Sequence, residues 1–556
     1  MRFSELPYRR PDLDALRTQG QAFVAEARSA ETATLPALVR RWDNWRKEAE
    51  GMQALASVHF TQDTKDPAYK AEKEYFDAIG PDLKELDIEL LVVLLERRGA
   101  LEDAFGEQLP ALWSCTVASF DPSIAEHVRA ESDANNRYDE LSASATVEFQ
   151  GEQRTLSALA GFYGDADRQV RLQARQAQDR LLGSVQGELD GLFDELVGIR
   201  HRMATTLGEQ DYVGLGYRRL GRTDYGAAEV ASFRQAVEER LVPLCTAVRA
   251  RHAEALGVSD YGFHDTPVRD KLGVPRPLGD EAWMRKQARA LFARMGRDFS
   301  QFYALMEEAQ LLDLDLREGK VGGGYCESLQ QWGLPFIFAN FNGTQDDVNV
   351  FTHECGHAFQ CWTTMQTGAL RDLVWPTYEA CEIHSMGLEM LTYPDMDLFF
   401  GDDAARFVQG HVEGALLFLP YGVAVDAFQH QVYRSPDWSP DRRALAWQAL
   451  ERRLLPEWSY QDMPMFESGR FWQRQGHIYG NPFYYIDYCL AQTCAFQLWK
   501  MGRRDRVETM RRYRRLCELG GRLSFRALLR DVGLADPFHP DTLAAVADDL
   551  AEQLGL

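Results

Sequence analysis

Apolar residues recur at intervals of three and four from about Leu13 to Ala253, and a chain with that spacing has little choice but to fold as packed helices. The run Leu182, Val185, Leu189, Leu192, Leu196 and Ile199 shows the pattern, one apolar stripe with charged residues on the opposite faces. Breaks are sparse: Asp121-Pro122, a turn from Gly161 to Asp165, and the Gly/Pro-rich segment Leu256 to Asp280. There is no internal repeat. The pattern changes between Gly319 and Val350. KVGGGYC is too glycine-rich for a helix, and Phe336 to Phe341 reads as a strand bounded by Pro335 and by Asn342-Gly343. Amphipathic helices then resume to the carboxyl end, interrupted at residues 435–441 and 463–469. The expected fold is mainly α, with a small β-sheet beside the central third.

With 556 residues, 45% of them apolar, the chain can bury one very large core or several ordinary ones. Lys and Arg number 61 against 84 Asp and Glu, a net charge of −23, which repels nucleic acid and anionic membranes. One basic stretch, Arg503 to Arg515, mixes signs at helical spacing and reads as a solvated helix face. The nine cysteines lack CxxC pairs, which predicts a reduced, cytoplasmic setting. MRFSELPYRRPDLD has no apolar signal core, and the longest apolar run, Ala415 to Val425, is broken by Pro420 and Gly422.

In VFTHECGHAFQCW, His353 and His357 stand four apart on a segment of helical character, about 40° from each other around the axis. Two imidazoles so placed can take adjacent corners of a tetrahedral zinc, while Glu354, in the same arc, can reach a water held there. Cys355 lies roughly 200° from His353 and is excluded as a ligand. A chance HExxH is expected in about 2 of 100 chains of this composition. The site needs a third ligand. Glu379, Glu382 and Glu389, in TYEACEIHSMGLEMLTY, are separated by 3 and 7 residues and share one helical stripe, and His384 faces elsewhere. Three acids beside Leu388 and Met390 are costly to bury without a cation. One of them would complete a zinc site and a second would hold a ligand histidine.

HECGH, CEIHSMGLE, the phrase FANFNGTQDDVNVFTHE and GHIYGNPFYYIDY resemble, in order and spacing from about Arg168 to Leu498, the oligoendopeptidase F and Pz-peptidase branch of the thimet oligopeptidase family of zinc metallopeptidases. The resemblance implies that Glu382 is the third ligand of a single Zn2+ and that Glu389 is the second acid, supporting a ligand histidine. It implies a two-lobed helical molecule with a deep central channel, an N-terminal helical region over residues 1–167, and a catalytic domain over 168–556.

Further along, Asn481-Pro482 reads as the N-cap and first position of a helix from Phe483 to Trp499, after a flexible loop at 476–480. Tyr484, Tyr485 and Tyr488 fall on its first turns. Phenol and imidazole donors suit a developing oxyanion, although tyrosine clusters also serve packing. The resemblance implies that a His and two Tyr here contact substrate and intermediate: His477, Tyr488 and, by the family's spacing of three, Tyr485. Tyr484 at i−4 is a substrate-binding candidate, and Tyr479 is a spare.

Together these readings predict a cytoplasmic endopeptidase acting on short, flexible oligopeptides, with Glu354 as general base. Substrate would pair as an extended strand alongside Phe338, Ala339, Asn340 and Phe341. Two alternatives stand beside it. One is an exopeptidase, which needs a cation for the substrate's terminal carboxylate, with Arg470 and Arg474 as candidates. The other is a catalytically inactive helical peptide-binding protein.

Overall fold

The computed structural model describes all residues from Met1 to Leu556. Helices begin where short polar side chains can accept the first free backbone N–H groups. Asp12 caps Leu13–Ser29 by accepting from Ala15 N at 2.8 Å, and Asp66, Asp167, Asp280, Ser439 and Asp505 do the same for later helices. No helix is long and apolar enough to cross a membrane.

The chain forms two compact units, each from three separate segments. Residues 1–118, 275–405 and 494–535 make the first, and residues 119–274, 406–493 and 536–556 the second. The expected N-terminal region is therefore divided, with 1–118 in one unit and 119–167 in the other.

The first unit holds a three-stranded sheet. Strands β1 (Leu312–Asp315), β2 (Tyr325–Leu329) and β3 (Leu334–Phe341) lie in the order β1-β3-β2. β3 runs parallel to β1, with Ile337 opposite Leu312, and antiparallel to β2, with Phe338 opposite Tyr325. Phe336, Ile337, Phe338 and Ala339 are almost wholly buried, which is why β3 is continuously apolar and detectable in the sequence. β1 and β2 went unpredicted because four or five residues carry too little period to register, and so did the hairpin Val147–Phe149/Glu152–Arg154 of the second unit. Helix α1 (Gln345–Gln366) follows β3 after a short turn that Asp347 secures, its carboxylate accepting from Asn342 N and Gly343 N at 2.7–3.1 Å. Helix α2 (Tyr378–Leu391) packs on α1.

The second unit is cored by aromatic rings. Trp472 lies 4.7 Å from Phe193, 4.9 Å from Phe428 and 5.9 Å from Tyr479. The apolar run at 415–425 lies inside one helix, Ala404–Arg434, which keeps Pro420 because burial outweighs a proline cost of about 3 kcal/mol, and as expected it is no membrane span. Two expectations further along need correction. Residues 476–480 form a helical turn, and the next helix, α3 (Tyr485–Arg504), starts later than predicted. Phe483 is in the left-handed region at φ 68°, held by its N–H donating to Gln429 Oε1 at 2.9 Å and its carbonyl accepting from Arg222 at 2.6 Å. Asn481 ends the 476–480 turn, its N–H donating to the His477 carbonyl at 3.0 Å, and Asn481-Pro482 does not start α3. The basic stretch is a paired helix face, as expected: Arg511 and Arg512 both bind Glu508, and Arg515 binds Asp531.

Candidate active site

The HExxH segment lies mid-way along α1, and a glycine decides what faces it. A Cβ at Gly356 would come within 2.5 Å of the His384 carbonyl oxygen and 2.6 Å of Ser385 Cα, so only glycine lets α1 press its backbone against α2 at this point. That approach delivers Glu382 to the histidines. His353 Nε2 is 3.2 Å from His357 Nε2 and 3.3 Å from Glu382 Oε2, and His357 Nε2 is 3.5 Å from the same oxygen. These are the edges of one face of a tetrahedron, since ligands bonded to zinc at 2.0–2.1 Å are about 3.3–3.4 Å apart. The donor set therefore fits zinc, with one corner left for water.

The three acids of the α2 stripe take different roles. Glu389 Oε1 is 2.7 Å from His353 Nδ1, which orients the ring and leaves Nε2 facing the cluster. Glu379 accepts from Thr377 Oγ1 at 2.8 Å and lies outside the cluster. Ser385, unflagged in the sequence although one turn from Glu382, donates to Glu382 Oε2 at 2.9 Å. An exposed acidic edge is ruled out: Glu379 and Glu382 are 1% and 4% exposed. Cys355 is fully buried and outside the cluster, and His384 turns away to the Ala380 carbonyl.

Burial drives the electrostatics. It would depress the His353 cation, but hydrogen bonds to Glu382 and Glu389 hold that imidazole well above its ordinary value. Burial would likewise raise Glu382, yet His357 and His353 keep its carboxyl well below the carboxylate range. Glu354, 7% exposed with an unpartnered Oε2, is pushed up by burial, partly offset by the two imidazoles. A raised carboxyl is a better proton acceptor near neutral pH.

The expected substrate strand does not have a free edge. β3 is central, paired with β1 and β2, and beyond Phe338 its neighbours are still occupied. Lys320 donates to the Ala339 carbonyl at 2.6 Å, and Asn340 Nδ2 donates to the Val321 and Gly323 carbonyls at 2.9 Å. Phe338 and Ala339 are wholly buried and Phe341 partly so. The marginal strands are β1 and β2, and the chain just before β2 runs beside the HExxH helix: a Cβ at Gly324 would be 3.7 Å from Glu354 Oε1.

In the second unit His477, Tyr484, Tyr485 and Tyr488 form one cluster. The imidazole centroid is 5.8, 5.0 and 5.9 Å from the three phenol rings in that order. Burial pushes the Tyr485 phenol well above its ordinary value, keeping it protonated as a donor. Tyr479 points elsewhere, stacked 3.9 Å from Tyr138 in the core. Two partners were invisible in the sequence. Tyr421 OH donates to Gln475 Oε1 at 3.0 Å, and Gln475 Nε2 lies 2.8 Å from His477 Nδ1. With Oε1 taken, the amide donates to Nδ1, so the proton of a neutral His477 resides on Nε2. Arg470 is bound to Asp441 at 2.5 Å and lies near Asp190 at 3.7 Å, so it is spoken for.

Comparison with known proteins agrees with this geometry. The profile of the peptidase M3 N-terminal domain matches residues 3–120 and that of peptidase family M3 matches residues 291–548. No curated protein matches. Among solved structures, one provisionally assigned as an oligoendopeptidase F is 41% identical, covering 100% of this chain and 99% of its own, with a TM-score of 0.95. Pz peptidase A with an inhibitor is 38% identical over 100% and 99%, also with a TM-score of 0.95. A Bacillus anthracis protein, again provisionally an oligoendopeptidase F, is 35% identical over 100% and 98%, with a TM-score of 0.90. From the converging His353, His357 and Glu382 and from these likenesses together, the chain belongs to peptidase family M3.

Proposed function

We propose that the protein is a zinc-dependent oligoendopeptidase that cleaves internal bonds of short, unfolded peptides. The observation that carries this reading is the triangle of donor atoms from His353, His357 and Glu382, with edges of 3.2–3.5 Å and an unpartnered Glu354 oxygen in the same stretch of helix. These three residues would hold one zinc per chain, and Glu389 and Ser385 would orient His353 and Glu382. When bound, zinc supplies Lewis acidity, lowering the pKa of a water towards 7 and polarising a carbonyl. Glu354 takes the proton of the attacking water and returns it to the leaving amine. His477, through its Nε2 proton, and Tyr488, with Tyr485, donate to the oxyanion that develops on the scissile carbonyl. Tyr484 binds substrate. An extended peptide is better matched to the marginal strand β2 than to β3, whose edges are filled.

Glu354→Gln tests the assignment. The variant keeps stoichiometric zinc by elemental analysis, while turnover of a quenched fluorescent peptide falls at least 10²-fold, by the typical weight of a general base. Loss of zinc in this variant makes Glu354 a ligand and overturns the mechanism.

A further inference from the structure

Arg175 and Arg474, far apart in the sequence, flank one pair of aromatic rings in the second unit. The Arg175 guanidinium carbon is 3.6 Å from the Tyr163 ring centroid and 4.6 Å from that of Phe263. That of Arg474 is 4.5 Å from Phe471 and 5.7 Å from Tyr421, and the Phe263 and Phe471 rings are 5.0 Å apart. No carboxylate balances either cation. Arg175, 8% exposed, donates to the Gln178 amide oxygen at 2.9 Å and stacks on the Tyr163 ring, and its Nε has no partner. Around Arg474, which is exposed, the facing groups are the phenols of Tyr163, Tyr421 and Tyr485. Neighbouring arginines differ: Arg171, Arg200 and Arg222 meet Asp265, Glu131 and Asp487 at 2.6–2.9 Å. In a chain of net charge −23, a buried guanidinium without an acid, next to an exposed one that also lacks an acid, marks a place for an anion, because the buried cation is costly until it is paired. Burial, with the repulsion of Arg474, brings the Arg175 cation down to about 9, a strain that an anion would relieve.

The cation pair adjoins the His/Tyr cluster. Tyr421, which Arg474 faces, donates to Gln475, the partner of His477, and its ring is 5.9 Å from that of Tyr485.

We propose that Arg474, backed by Arg175, is a subsite for a carboxylate of the peptide substrate. This inference rests on the peptidase reading above. A planar guanidinium pairs with a carboxylate through two parallel N–H···O bonds, and the surrounding phenols add neutral donors. Two carboxylates could supply the charge, the substrate's terminal group or an acidic side chain. In either case peptides would bind preferentially in one register.

Binding to the zinc-loaded Glu354→Gln protein tests this without cleavage. Three labelled peptides of one sequence are compared by fluorescence anisotropy: one ending in a free carboxylate, one in a carboxamide, and one in a carboxamide preceded by Glu. A carboxylate form is expected to bind about 10- to 100-fold tighter than the plain amide, the range of charge-assisted hydrogen bonds, and adding Arg474→Gln should bring that ratio close to one. Preference for the free acid identifies the terminal group, and preference for the Glu amide identifies the side chain. Equal affinities for all three peptides, no binding at all, or a ratio unchanged by Arg474→Gln would overturn the subsite. Hydrolysis by the unsubstituted enzyme reports on the peptidase reading separately: cleavage of the amide without carboxylate preference removes the subsite alone, and carboxylate preference without cleavage removes the peptidase reading alone.

Discussion

Glu379, Glu382 and Glu389 occupy one stripe of α2, yet each oxygen meets a different group, and their substitutions should separate accordingly. Glu382→Ala removes a corner of the donor triangle and should abolish tight zinc binding. Glu389→Ala leaves the corners but frees the His353 ring, which should weaken zinc about 10- to 100-fold. Glu379→Ala breaks the bond from Thr377 but leaves the donor triangle intact, and should leave zinc affinity near that of the unsubstituted protein. Zinc titration of the three proteins reads the order directly. An apo protein from Glu379→Ala alone would move the third ligand there. The stripe itself was legible from offsets of 3 and 7. The ranking came from the family resemblance alone, because periodicity says which residues share a face and nothing about which of them a second helix will meet.

At the scale of elements the centre is a helix crossing. Gly356 sits where α1 touches the backbone of α2 at His384 and Ser385, two and three residues after Glu382. Gly356→Ala gains helix propensity of about 1 kcal/mol but thrusts a methyl group to 2.5 Å from a carbonyl oxygen and 2.6 Å from a Cα, neither of which can rotate aside. The helices must part, at a cost typical of overpacking, about 1–3 kcal/mol. The expected outcome is a lower Tm together with weaker zinc binding, since Glu382 moves away from both imidazoles. Zinc affinity equal to that of the unsubstituted protein would show that the crossing does not set the ligand geometry. In HECGH the sequence shows a glycine amid helix formers, an oddity whose explanation lies 28 residues further on.

Over the whole molecule, neither unit is complete until late in synthesis: the first needs residues 494–535 and the second needs 536–556. Stability should also depend on pH through opposed buried acids. Burial would raise Glu131, but Arg200 and Arg219 hold it down to about 2, whereas burial pushes Glu451, whose partner is the Tyr460 hydroxyl, up to about 7. For Glu451 the folded state favours the protonated form. Its contribution is full below the unfolded value near 4.5 and is lost as pH rises through 7. A shift of this size corresponds to about 3 kcal/mol. Glu451→Gln, neutral at every pH, removes that dependence. The stability of the variant relative to the unsubstituted protein, from urea unfolding, should therefore rise by roughly 2–3 kcal/mol between pH 4.5 and pH 8. A constant difference across that window would show that Glu451 titrates normally.

The sequence alone determined what is local. Helical periodicity, the four-residue spacing of His353 and His357 and the buried run of β3 all follow from one residue's backbone preference and its near neighbours, and these the structure reproduces. Where one element meets another was decided only in the fold. Periodicity left Glu379, Glu382 and Glu389 equal, and the Gly356 crossing is what brings Glu382 to the histidines. The filled edges of β3 needed two strands too short to announce themselves, and the late start of α3 needed Gln429 and Arg222 to hold Phe483 left-handed. Tyr421 and Gln475 behind His477, and the paired Arg175 and Arg474, are brought together across long stretches of chain. Such contacts depend on close packing between distant segments, which many sequences of the same local pattern could satisfy differently, and so no local pattern encodes them.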